Sequence, residues 1–117
     1  MGKSKKTFGE FLREKIKQTG ISQSTFYRAV DITKPYFYDI LSSKVNPPPS
    51  DVQFRMIENL ELDEDERTEF FNLAAEERGE IPADIVKLIT DHPYELERIR
   101  SHLTDMFARK QIEVWQL

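Results

Sequence analysis

The chain has no cysteine, which removes disulfides, thiolate metal sites and cysteine nucleophiles together. It has only four glycines in 117 residues, and none of them forms a P-loop, a G-x-S-x-G elbow or another Gly-rich phosphate cradle. Its two histidines, His92 and His102, lack H-E-x-x-H spacing. Catalysis is therefore not expected, nor is any cofactor or metal. No apolar run approaches the roughly 18 residues of a membrane span. The basic start MGKSKK leads into an amphipathic helix rather than the apolar segment of a signal peptide, and Lys6 stands where a myristoylation motif needs Ser or Thr. The expectation is a cytoplasmic protein with no membrane partner.

A hydrophobic content of 38% with 11% aromatic residues is enough for one core, while 32% charged residues keep the surface wet. The length suits a single core and is too short for two ordinary domains. Net charge is -4, which taken alone argues against a polyanion partner. The average hides an asymmetry. Through residue 50 nine Lys and Arg face four Asp and Glu, a balance of +5, so the remainder carries -9 to reach the total of -4. Such a split is the electrostatic footprint of a nucleic-acid module joined to an acidic half.

The stretch from Ser22 to Val45, SQSTFYRAVDITKPYFYDILSSKV, predicts two short helices joined by a tight turn. Ser22 is a natural N-cap, and Ile21 before it can staple onto Phe26. The same grammar recurs with Thr33 as N-cap, Ile32 before it and Phe37 as staple partner. Pro35 in the first turn costs no hydrogen bond. Phe26, Ala29 and Val30 of the first helix, and Phe37, Ile40 and Leu41 of the second, fall on buried stripes. The opposite face of the second helix then carries Lys34, Pro35, Tyr38, Asp39 and Ser42. A short helix with a stapled inner face and a chemically varied outer face suits a major groove about 12 Å wide.

These residues resemble the lambda-repressor-like (Cro/cI, Xre-type) helix-turn-helix family. The matching features are Ser22-Gln23 opening the second helix, the Ile32-Thr33 turn, Tyr36, Ile40 and the Asn46-Pro47 exit, and the likeness covers roughly residues 8 to 76. Three positions depart from the family pattern: Tyr27 where a small Ala is usual, Asp31 at the turn glycine, and Ser43 where glycine often follows the third helix. Asp31 is expected to adopt a left-handed conformation. The resemblance implies an all-α fold, with a five-helix DNA-binding domain over residues 1–79 and a helical extension over 80–117. It further implies double-stranded DNA as partner. Lys34, Pro35, Tyr38 and Asp39 would read bases; Gln23, Tyr36, Ser42, Lys44 and Asn46 would contact the backbone. Gln23 would also brace the residue that opens the third helix.

Elsewhere, residues 1–6 form a basic arm that either touches phosphates or is a solvated tail. A first helix opens on a Thr7/Glu10 capping box, buries Phe8, Phe11, Leu12 and Ile16, and ends at Gly20 with Lys15 and Lys17 in its last turn. KVNPPP is a stiff exit loop. A fourth helix is expected to open on a Ser50/Gln53 capping box and to bury Val52, Met56, Ile57 and Leu60. A fifth opens at Asp63, buries Phe70, Phe71 and Ala74, and ends at Gly79. The run Asp63-Glu64-Asp65-Glu66 lacks the glycine and terminal glutamate of a calcium loop and reads as an acidic helix start. Ile81, Ile85, Val86 and Ile89 predict a short helix opened by Pro82. Leu96, Ile99, Leu103 and Met106, with Phe107 beside them, then make an apolar seam on a seventh helix. That seam packs either on its own domain or, together with Trp115, in a homodimer. Ile112 to Leu117 reads as strand, continued helix or clasping arm.

The expected function is that of a bacterial or phage transcriptional regulator, a repressor associated with the nucleoid. Two alternatives stay open. One is an antitoxin that represses its own promoter and covers a toxin; the other is an interaction adaptor on the same fold that has lost DNA binding.

Overall fold

Thr7 caps the first helix, α1 (Phe8–Thr19), in a complete capping box with Glu10, and Gly20 closes it in the left-handed conformation. The computed structural model of the protein describes residues 6–115, with side chains as far as Arg109. Among these the elements are all helical: α1, α2 (Gln23–Ala29), α3 (Lys34–Leu41), α4 (Ser50–Glu58), α5 (Glu64–Arg78), α6 (Ala83–Thr90), a 3-10 turn at Pro93–Glu95, and α7 (Leu96–Trp115). The chain divides into two compact units between Ala83 and Asp84.

In the first unit α1 is the central element, packed against both α3 and α5. Its buried face is Phe8, Phe11, Leu12 and Ile16, as the periodicity predicts. Phe8 and Phe11 meet Phe70 of α5 at ring separations of 5.1 and 6.4 Å, and Phe70 passes the contact to Phe71 at 5.2 Å. These edge and tilted geometries suit the ring quadrupoles. The Glu77 carboxylate of α5 reaches back to accept from the Phe8 backbone N–H at 2.7 Å, a negative charge on the positive end of α1.

Gly9 is buried because the backbones of α1 and α3 nearly touch there. A Cβ at this position would stand 2.3 Å from the Leu41 carbonyl oxygen and 2.6 Å from that of Ile40. Lys15 does not stand in the last turn of α1, where Lys17 alone is basic, and its role lies elsewhere. It is buried, donates to Glu66 at 2.7 Å and lies 5.1 Å over the Phe11 ring. Glu66 belongs to the box in which Asp63 caps α5; the acidic run is thus used at a helix N-terminus.

Several expectations need correction. Ala29, the last residue of α2, is exposed, whereas Phe26 and Val30, four residues apart and on one side of the helix, are buried as expected. The Ser50/Gln53 capping box does not form. Ser50 is already helical, the N-cap is Pro49 with no side-chain bond, and Gln53 is buried and donates to the Pro48 carbonyl at 2.8 Å. The cause is local, since the run of prolines offers carbonyls but no N–H donors, so a buried carbonyl recruits the amide. Ile57 is only partly buried. Ile81 precedes α6 and is exposed. Residues 1–5 of the basic arm lie outside the described residues, and Lys6 pairs with Glu14 at 2.9 Å.

The second unit has a different character. None of its described side chains, from Asp84 to Arg109, is buried. Leu88, Leu96, Leu103, Met106 and Phe107 are exposed, and Ile99 is half-buried. Of the alternatives for the last residues, the backbone continues as helix through Trp115, whose side chain lies outside the described ones, as do residues 116–117.

Two outcomes follow. Gly9→Ala gains up to about 1 kcal/mol of helix propensity but must push apart two backbones at an overpacking cost of about 1–3 kcal/mol. Urea unfolding will show net destabilisation by about 1–2 kcal/mol. Glu66 has its pKa held below the ordinary carboxylate value, first by the Lys15 hydrogen bond and then by the Asp63 backbone. Its stabilisation is therefore complete above that ordinary value and is lost as pH falls through the lowered one. Glu66→Gln will be less stable than the parent near neutral pH, and the gap will close in acid.

Candidate nucleic-acid interface

The inner side of α3 is fixed before its outer side can be useful. Thr33 caps it by accepting from the Tyr36 N–H, Pro35 occupies its first turn, and Phe37, Ile40 and Leu41 are buried. Phe37 is the hub, with Phe26 at 6.0 Å, Tyr27 at 5.4 Å and Tyr38 at 5.3 Å. That contact explains the bulky Tyr27: it packs on Phe37, where a small residue would leave a void. Arg55 of α4 donates to the Val30 carbonyl at 2.9 Å and so closes the end of α2. Asp31 and Ser43, the two residues standing at glycine-like positions, both adopt positive φ, 59° and 63°. The turn and the exit are therefore kept, at a modest backbone cost.

With the core side locked, Lys34, Pro35 and Tyr38 are exposed on α3 and Ser42 at its C-cap, and Asp39 is half-exposed. Lys44 and Asn46 are exposed on the exit, where the Lys44 N–H donates to the Asp39 carbonyl at 2.9 Å. The exit is held from beneath by Arg78, which donates to the Pro47 carbonyl at 2.8 Å. Tyr36 sits apart from the rest. It packs partly against the core, and burial pushes its phenol pKa up against the opposing pull of Arg78. Gln23 does brace α3, but not at its first residue. The Tyr38 hydroxyl donates to Gln23 Oε1 at 3.1 Å, one turn beyond Lys34. A rigid phenol four residues along the same face spans the gap, which leaves Lys34 without a partner among the described residues.

The cations sort by position. Lys6, Lys15, Arg55 and Arg78 are each paired with a carboxylate. Arg13, Lys17, Arg28, Lys34 and Lys44 have no carboxylate partner among the described residues, and all five lie on α1 to α3 or the exit that follows. Arg67 of α5 and Arg109 of α7 are also without one, whereas Lys87, Arg98 and Arg100 of the second unit are paired. The sequence count of positive charge thus overstates its amount around α3 but not its location.

In the second unit His92 and His102 line one groove of about 400 Å³ together with Leu88, Ile89, Glu95, Arg98 and Ile99. The His92 ring Nδ1 lies 2.6 Å from the Leu88 carbonyl, and Arg98 donates to Glu95 at 2.7 Å. No family model, curated protein or solved structure matches the chain. Its chemistry must therefore be read from these positions alone. They provide one basic donor, one phenol and one carboxylate on an exposed helix face, with unneutralised cations around it. Reasoning from sequence missed Gly9, Arg55 and Glu77, which place that face. An isolated glycine within an amphipathic helix was the one available signal.

Proposed function

We propose that the chain is a sequence-specific, double-stranded DNA-binding regulator of the lambda-repressor-like helix-turn-helix kind, acting as a homodimeric repressor rather than as an enzyme. The observation that carries this reading is the outer face of α3. Lys34 and Tyr38 share it, its opposite face is locked into the core, and the cations around it lack carboxylate partners. A polyanion neutralises such charges and releases its own counterions.

In this mechanism α3 enters the major groove N-terminus first. Lys34 donates to guanine O6 and N7, Asp39 accepts from cytosine N4, and Tyr38 packs a thymine methyl. Pro35 shapes the first turn against the base edges. Asp39 repels phosphates, so it sharpens selectivity more than it tightens binding. Gln23, Tyr36, Ser42, Lys44 and Asn46 hold the backbone and set the register. The exposed seam of Leu96, Leu103 and Met106, with Ile99, is covered by a second copy, because a two-helix unit that buries none of its described side chains lacks a core of its own among them. A twofold dimer then reads half-sites about 34 Å apart.

A second reading, an antitoxin that also grips a basic toxin, is favoured by one feature. A groove of about 650 Å³ along α5 and the residues after it is lined by Asp65, Glu69, Glu76 and Glu80 against one cation, Lys6, although Glu80 is held by Arg78.

Lys34→Ala tests the base-reading role. It will weaken binding to the preferred site by about 1–3 kcal/mol and binding to random duplex by much less. Equal losses on both, measured by titration at one salt concentration, would make Lys34 a backbone contact instead.

A further inference from the structure

We propose that Arg13 and Lys17 of α1 form a seat for one phosphate of the DNA backbone, beside the bases that α3 reads. The inference rests on the DNA-reading assignment and adds to it a contact on a different helix. The two cations lie one turn apart on the same exposed face of α1 and line a notch of about 330 Å³ with Ile16, Ile21 and Gln23. Like charges at this spacing repel and destabilise a helix, a penalty that an anion between them removes. The acid nearest in sequence does not relieve it. Glu14 is turned away, 2.9 Å from Lys6 and 3.8 Å from Lys15. Its carboxyl pKa is held low chiefly by the Lys6 hydrogen bond.

The other walls fit the same ligand. Ile16 is buried and Ile21 half-buried, so the floor is apolar and strengthens the attraction above it. Gln23 has its Oε1 engaged by the Tyr38 hydroxyl, which leaves its amide hydrogens to donate into the notch. One amide therefore joins the seat to the reading face of α3. This shared wall is the reason to assign a duplex phosphodiester as the occupant: an anion held there lies at the edge of the face that meets the bases.

The test uses the full chain and a labelled mixed-sequence duplex long enough for two half-sites, with Kd measured by anisotropy over a range of salt. R13Q/K17Q is compared with the parent and with R67Q, which removes an exposed, carboxylate-free cation from α5. Circular dichroism checks that each variant folds. The expected result is a plot of log Kd against log salt that is shallower by about 0.9 for R13Q/K17Q, the value of one neutralised phosphate, and unchanged for R67Q. If the parent binds steeply and R13Q/K17Q has the same slope, the seat is refuted while DNA binding stands. If the parent fails to bind the duplex at low salt, the DNA-reading assignment falls and the seat falls with it.

Discussion

The backbone of α1 meets the carbonyl end of α3 at Gly9, with room for a hydrogen and not for a methyl group. Everything on the outer face of α3 inherits its position from that contact. On one side α1 is anchored by Phe8 and Phe11 against Phe70, and by the Glu77 carboxylate on its first N–H. On the other side α3 is clamped by Phe37 among Phe26 and Tyr27. A helix held this closely presents its exposed side chains from a fixed platform, which is what recognition by a few side chains needs.

Charge is distributed along the same division. Carboxylates from α1, α4 and α5 neutralise Lys6, Lys15 and Arg55, and Glu80 beyond α5 pairs with Arg78, where those cations brace the packing. The cations of α1 to α3 and the exit, Arg13, Lys17, Arg28, Lys34 and Lys44, have no such partner among the described residues. The net charge of -4 thus hides a set of cations on α1 to α3 that no described carboxylate neutralises. The acidic remainder also discourages nonspecific adhesion elsewhere on the surface.

Much of this was legible in the sequence, and the reasons are local. Caps at Thr7, Ser22, Thr33 and Asp63 are written in one or two residues and form as read. The stripes of α1 and α3 follow from helical periodicity. What was not legible depended on distant partners. Gln53 looked like half of a capping box until the proline run, which lacks donors, claimed it. Lys15 read as a dipole partner, and only the fold brings Glu66 to it. The Gln23 brace was expected at the start of α3, but side-chain reach places it on Tyr38. Ala29 and Val30 both fit the apolar periodicity of α2, and only the packing around Phe26 decides that Val30 is the one buried.

The central claim is that the face bearing Lys34, Tyr38 and Asp39 reads DNA sequence. It is tested most directly by selecting bound duplexes from a random pool at two salt concentrations. The account predicts enrichment of a palindrome whose half-sites lie one helical turn apart, with the same motif at both salts. Binding that depends on salt but enriches no motif, or no binding at low salt, would contradict it.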